Sequence, residues 1–324
     1  MAFSSFRPDA TPAARIGLGL AAVGRPGYIN LGRDRDLPAD RSPEALRARA
    51  HDLLDAAHAH GVRYVDAARS YGRAEEFLAA WLASRPDAAR AMTVGSKWGY
   101  TYTADWRADA AVHEVKDHSA ATFDRQWAES EQLLDGYLDL YQIHSVTPDS
   151  PALHDPGLLG RLARLAAGGV TVGLSTSGPD QADAIRAALG VTVDGRPLFS
   201  TVQSTWNVLE TSAAAALAEA HEAGLTVIVK EALANGRLAG DAAPRELHFV
   251  AEQTGTTPDA VALAAALHQP WAGIVLSGAA TTDQLAANLA AARVRLDDEQ
   301  QNTLTRPAQS PAAYWRARAE LPWH

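Results

Sequence analysis

Cysteine is absent from the 324 residues. Disulfides, thiolate nucleophiles and cysteine-ligated metal sites are thereby excluded, and nothing else in the chain points to a metal. The absence also fits a cytoplasmic setting. Lysine is scarce: it stands only at positions 97, 116 and 230, and arginine supplies the other 26 of the 29 basic residues. No uninterrupted apolar run approaches the ~18 residues of a membrane-crossing helix. The opening segment MAFSSFRPDATPAARIG lacks the continuous apolar core of a secretory leader. A net charge of -9 argues against non-specific nucleic-acid binding. Nothing in the chain signals an oligomeric state. What is present is ordinary globular composition, 47% apolar and 21% charged. That is enough for a sizeable core, in one large domain or two ordinary ones.

Short β-branched runs alternate with Ala/Leu-rich helical stretches. RIGLGLAAVG (15–24) is the first strand candidate. Ser42-Pro43 then reads as a helix start, serine as cap and proline in the first turn, with the helix ending at Gly61. The further strand candidates are RYVDAA (63–68), MTVGSKWG (92–99), LDLYQIHSV (138–146), VTVGLSTS (170–177), LFSTVQSTWN (198–207), LTVIVKEAL (225–233) and AGIVLSG (272–278). A helical pattern separates each from the next, except that a long loop, YTYTADWRADAAVHEVKDH, precedes the helix capped near Ser119. From about 297 a tail carrying Pro307, Pro311 and Pro322 is expected to wrap the surface. Strands alternating with helices predict a parallel sheet, and eight such units without a linker predict a closed (β/α)8 TIM barrel as a single domain, 1–324. The rival is an open, doubly wound dinucleotide fold. Its glycine fingerprint is incomplete, because Gly17-Leu18-Gly19 has no third glycine and no helix directly after it.

Asp66, Tyr71, Lys97 and His144 each lie at or just past the end of one of these runs. Strand ends are where such a barrel places its chemistry. An acid, a phenol, an ammonium and an imidazole gathered there can deliver a proton to a carbonyl oxygen, which is half of a carbonyl reduction. A chain so biased to arginine keeps lysine at two strand ends, 97 and 230. A compact ammonium with a movable pKa is what lysine offers and arginine does not.

With these residues the sequence resembles the aldo-keto reductase family over nearly its whole length. Asp66-Ala-Ala-Arg-Ser-Tyr71-Gly72 matches the family's acid followed five residues later by Tyr-Gly. VGSKWG supplies the family lysine as Lys97, and LYQIHS the family histidine as His144. GLSTS, VQSTWN and LSGAATTDQLAANL resemble the segments after strands 5, 6 and 8. The resemblance implies NAD(P)(H)-dependent interconversion of an aldehyde, ketone or sugar lactol with the alcohol or lactone. Tyr71 would be the acid/base, its pKa lowered by Lys97, with Asp66 holding the lysine and His144 orienting the carbonyl. It also implies that Ser175, Thr176 and Gln203 hold the nicotinamide amide, although Thr176 stands where asparagine is usual. Lys230 occupies the place of the usual stacking aromatic, and Trp206 could supply such a face instead. Ser277, Gly278, Ala279, Thr281, Gln284 and Asn288 match the adenosine-phosphate loop. That loop contains no lysine or arginine, Arg293 being the next basic residue, so only modest discrimination between NAD(H) and NADP(H) is expected. Trp98, Tyr100 and Trp206 are candidates for the substrate pocket, while the aromatics of the tail either join it or pack the tail onto the barrel.

Two other functions remain open on the same barrel. One is a Schiff-base aldolase using Lys97 or Lys230. The other is a sensor that binds a nicotinamide cofactor without turnover.

Overall fold

The apolar runs become eight parallel strands. A computed structural model describes residues 12–37 and 39–323; the segment 1–11, part of the stretch read above as lacking a leader, lies outside the described residues. The strands are β1 (Ile16–Gly19), β2 (Tyr64–Asp66), β3 (Thr93–Trp98), β4 (Leu138–Val146), β5 (Thr171–Thr176), β6 (Thr201–Thr205), β7 (Thr226–Lys230) and β8 (Ile274–Ser277). Each pairs with its sequence neighbours, and β8 pairs back onto β1, so the barrel closes in chain order. Helices α1 (Pro43–Ala59), α2 (Ala74–Ser84), α3 (Ala120–Leu134), α4 (Pro156–Ala167), α5 (Gln181–Leu189), α6 (Ala214–Glu222), α7 (Arg245–Thr254), α8 (Pro258–Leu267) and α9 (Thr282–Ala290) cover the outside. Their starts follow local chemistry. Ser42 Oγ accepts the Ala45 N–H, and Ser119 Oγ the Thr122 N–H, each satisfying an otherwise orphaned donor.

Two apolar layers between strands and helices form most of the core. The barrel interior is a separate small cluster of Tyr64, Leu140, Ile228, Ile274 and Leu276. Tyr64 fits because β3 carries Gly95 opposite it: a Cβ there would come within 2.4 Å of the phenol oxygen. The phenol hydroxyl donates to Asp66 Oδ1 at 3.1 Å. The apolar floor of the barrel is thus tied directly to the polar layer above it.

Two segments depart from the expectation. The loop after β3 contains a two-stranded antiparallel ladder, Tyr100–Tyr102 against Glu114–Lys116. Three residues per strand are too few to show an alternation in the sequence. The tail is not an irregular wrap: it forms α10 (Asp298–Thr303) and α11 (Pro311–Ala319). Pro311 lies in the first turn of α11, where a proline costs no hydrogen bond, and Ser310 caps it. Asn207 donates to Tyr314 Oη at 2.9 Å and so pins α11 onto the rim after β6.

Candidate active site

Asp66 is the hub of the polar layer. It is buried, and it accepts from Lys97 Nζ at 2.5 Å, from Gln203 Nε2 at 2.8 Å and from the Tyr64 hydroxyl. Lys97, fully buried, also donates to the Ala67 carbonyl at 2.8 Å. Its ammonium lies 4.9 Å from the centroid of the Tyr71 ring. His144 meets the same ring edge-on at 5.6 Å. Four residues spread over 79 positions of chain are therefore gathered at one end of the barrel.

The electrostatics correct one expectation. Burial first, and then the Asp66 carboxylate, push the Tyr71 phenol well above its ordinary range. With the Lys97 ammonium paired to Asp66 at contact distance, burial and the carboxylate dominate, so the net shift is upward rather than the expected lowering. Burial pulls Lys97 down, with Asp66 opposing. Burial, Lys97 and Lys230 together keep His144 far below the usual imidazole range, hence neutral. Its Nδ1 is buried without a partner among the described residues. A loaded phenol and a neutral imidazole face one space: a proton donor beside a second polar ring.

That space is a cavity of about 890 Å³. Its lining includes Asp66, Tyr71 and His144 near the ends of β2 and β4, Gln203 and Lys230 on β6 and β7, and Ser277, Gly278, Ala279, Gln284 and Asn288 from the end of β8 onward. The segment after β8 is preorganised. Ser277 Oγ accepts from Asn288 Nδ2 at 2.8 Å, Gln284 Oε1 accepts the Ala280 N–H at 2.9 Å, and Thr281 caps α9. The start of that helix offers the positive end of its dipole to an anion. Arg35 lines the cavity, and Arg49 donates from α1 to the Ala280 carbonyl at 3.2 Å. An elongated polar ligand with anionic groups near α9 fits this wall, and a dinucleotide is such a ligand.

The remaining expected residues divide. Ser175 Oγ accepts the Ser145 N–H at 2.8 Å, and Thr176 Oγ1 shares a hydrogen bond with Ser204 at 2.7 Å. Both are fully buried behind the cavity wall. Tyr100 stays at the site, its ring 5.0 Å from that of His144. Trp98 and Trp206 do not reach the cavity. Trp98 packs on Phe123 with ring centroids 5.1 Å apart, and Trp206 on Trp271 at 5.8 Å. Successive side chains of a strand face opposite sides, so Lys97 turning inward sends Trp98 out into the strand–helix layer.

Sequence reasoning passed over several wall residues. Arg25, buried after β1, donates to the Ser70 carbonyl at 2.9 Å and pairs with Glu114 of the unforeseen ladder at 2.8 Å. Its guanidinium lies 5.2 Å from the Tyr71 ring centroid and 4.8 Å from that of Trp323. Trp323 in turn stacks on His113 at 4.0 Å. Glu231, just past β7, pairs with Arg318 of α11 at 2.5 Å. Burial raises Glu231, but Arg318 and Lys230 overcome that and hold it at about 2. The one local signal was the polar pair Lys230-Glu231 closing an apolar strand. Glu231 and Ser145 both adopt positive φ, 55° and 56°, costly conformations that cluster at functional sites.

Comparisons with known proteins converge. The family model described as "Aldo/keto reductase family" matches residues 15–307. A protein described as aldo-keto reductase str7, from Strobilurus tenacellus, is 26% identical over 280 residues, covering 76% of this chain and 77% of its own. Among solved structures, the holo form of aldo-keto reductase AKR11C1 from Bacillus halodurans superposes with a TM-score of 0.69 at 22% identity, over 91% of this chain and 92% of that one. The glycerol dehydrogenase AKR11B4 from Gluconobacter oxydans gives 0.68 at 22%, over 90% of each chain.

Proposed function

Because this chain belongs to the aldo/keto reductase family and is an oxidoreductase, we propose that it interconverts an aldehyde, ketone or sugar lactol with the alcohol or lactone at the Tyr71 end of the cavity. The observation that carries this reading is the single cavity joining Asp66, Tyr71 and His144 to the Ser277–Asn288 loop. Gln203 and Lys230 would flank a nicotinamide, and the loop with the start of α9 would take the adenosine phosphates. When bound, that cofactor supplies or accepts the hydride.

Each protein group then has a role. Tyr71, protonated, donates to the carbonyl oxygen as charge develops on it. His144, neutral, aligns that oxygen by hydrogen bonding. Lys97, held by Asp66 and the Ala67 carbonyl, stabilises charge arising on the phenol. Gln203 donates to Asp66 and keeps its carboxylate aimed at Lys97. The loop from 277 to 288 contains no cation, so recognition of a 2′-phosphate falls to Arg35 and Arg49, and both NAD(H) and NADP(H) are usable. An absorbance assay of nicotinamide turnover over a panel of aldehydes, ketones and sugars tests the reading; no turnover with any of them, despite cofactor binding, would favour the sensor instead.

One observation favours a second chemistry. Lys230 lines the cavity and is held down to about 8, chiefly by burial, so part of it is free amine near neutral pH. Borohydride trapping of a carbonyl compound on Lys230 would support the aldolase reading. Lys97, with its ammonium committed to Asp66 and Ala67, is poorly placed for that role.

A further inference from the structure

Lys230 feels the Glu231 carboxylate beside it but is in contact with no carboxylate among the described residues. Three other cations near the Tyr71 end each hold a carboxylate: Lys97 has Asp66, Arg25 has Glu114 and Arg318 has Glu231. Lys230 Nζ instead donates to the Thr205 hydroxyl at 2.8 Å and lies 5.8 Å from the centroid of the Trp315 ring. Thr205 spends its own hydrogen on Glu231, at 3.1 Å. Among the described residues no carboxylate stands within ion-pair distance of Lys230. Glu231, next in the chain, is turned to Arg318 in a two-pronged contact. The wall between Gln203 and the Ser277 loop therefore keeps one positive charge that no carboxylate contacts.

The field of that charge reaches the reacting end, where it helps keep His144 neutral. On the oxidoreductase reading above, a nicotinamide that exchanges hydride with a carbon held at Tyr71 and His144 must lie in this field. The ring is neutral when reduced and positive when oxidised. We propose that Lys230 is a redox-state selector: it disfavours the oxidised cofactor, binds the reduced one in preference, and so makes the bound nicotinamide a stronger oxidant. The bias favours taking electrons from an alcohol or lactol. In that direction the substrate C–H bond breaks and its hydride passes to the ring. Tyr71 takes the hydroxyl proton as it releases its own to water, and loss of the ring's charge relieves its repulsion with Lys230. An aromatic residue at this position would stack on either redox state without that electrostatic preference.

The test is equilibrium binding, independent of turnover. Dissociation constants for NAD+, NADH, NADP+ and NADPH are measured by calorimetry on wild type, Lys230→Met and Lys230→Arg. Two unit charges a few ångströms apart in a partly hydrated wall lead us to expect a loss of about tenfold in preference for the reduced form in Lys230→Met. Lys230→Arg should keep it. Should Lys230→Met misfold by circular dichroism, Lys230→Gln serves as the neutral variant. A second readout follows pH. The charged groups facing Lys230 are Asp66 and Lys97 from the barrel, Glu231 beside it, Arg318 from α11 and His144 across the cavity. All of them remain in the Met variant. Between pH 7 and 9.5 the preference should fade in wild type and stay flat in Lys230→Met, as the ammonium held near 8 loses its proton. A loss under about threefold in the neutral variant, or an equal loss in Lys230→Arg, would overturn the proposal. Failure of wild type to bind any of the four nucleotides would instead overturn the oxidoreductase reading beneath it.

Discussion

Lys97 and Lys230 end two strands of one barrel, yet they live in opposite electrostatic regimes. The β2–β4 end is closed: Lys97 is fully buried, and Asp66, Gln203 and Tyr64 form a hydrogen-bonded set around it. The β7 end differs: Lys230 lines the cavity, and its ammonium meets a hydroxyl and an indole face rather than a carboxylate. The difference teaches that lysine at a strand end is one sequence signal with two physical meanings. A paired buried lysine positions and polarises its neighbours. An unpaired one acts at a distance on whatever enters.

The largest expected effect lies at the closed end. Tyr71→Phe removes the proton donor and should lower kcat/KM by about a thousandfold while leaving cofactor affinity near wild type. Wild-type kcat/KM in that variant would break the assignment of the proton donor. Next come the two lysines themselves, compared by urea unfolding. Lys97→Met leaves Asp66 buried without its cation and should cost about 3–5 kcal/mol. Lys230→Met leaves no carboxylate orphaned and should change stability by less than about 1 kcal/mol. Equal costs would erase the distinction between the two ends.

A third effect belongs to the ion pair that holds α11 over the β7 end. Glu231 sits at about 2 in the folded protein, below its ordinary value. Its contribution is therefore present above the unfolded carboxylate pKa and lost as pH falls through about 2. Over that interval wild type should shed about 3 kcal/mol from this group, and Arg318→Ala should show a shallower acid limb in unfolding curves from pH 5 to 2. Superimposable limbs would mean the pair does not anchor the tail. The smallest effect concerns cofactor choice. Arg49→Ala should lower any preference for NADP(H) over NAD(H), read as a ratio of kcat/KM values, by no more than about tenfold, the size of one charge-assisted hydrogen bond. A wild-type preference for NADP(H) beyond about a hundredfold would mean a stronger cationic contact than Arg35 and Arg49 provide.

Much of this molecule is legible in one dimension. The eight apolar runs, the Ser42 and Ser119 caps and the five-residue step from Asp66 to Tyr71 are local patterns, and the structure realises each. The tail helix α11 was hidden because its proline reads as a breaker unless the cap before it is counted. Trp98 reads as pocket because it stands with Tyr100 among the aromatics crowding the loop after β3, but strand alternation sends it onto Phe123 instead.

What the sequence determined by itself is the alternation that closes a barrel and the set of chemical groups brought to its strand ends. Those follow from periodicity and propensity, which act over a few residues. What only the tertiary structure decided is which charge answers which. Arg25 finds Glu114 across 89 positions and Arg318 finds Glu231 across 87, and Lys230 is left lining the cavity. Ion pairing depends on distance and burial in space, and neither exists until the barrel has closed and the tail has docked on it.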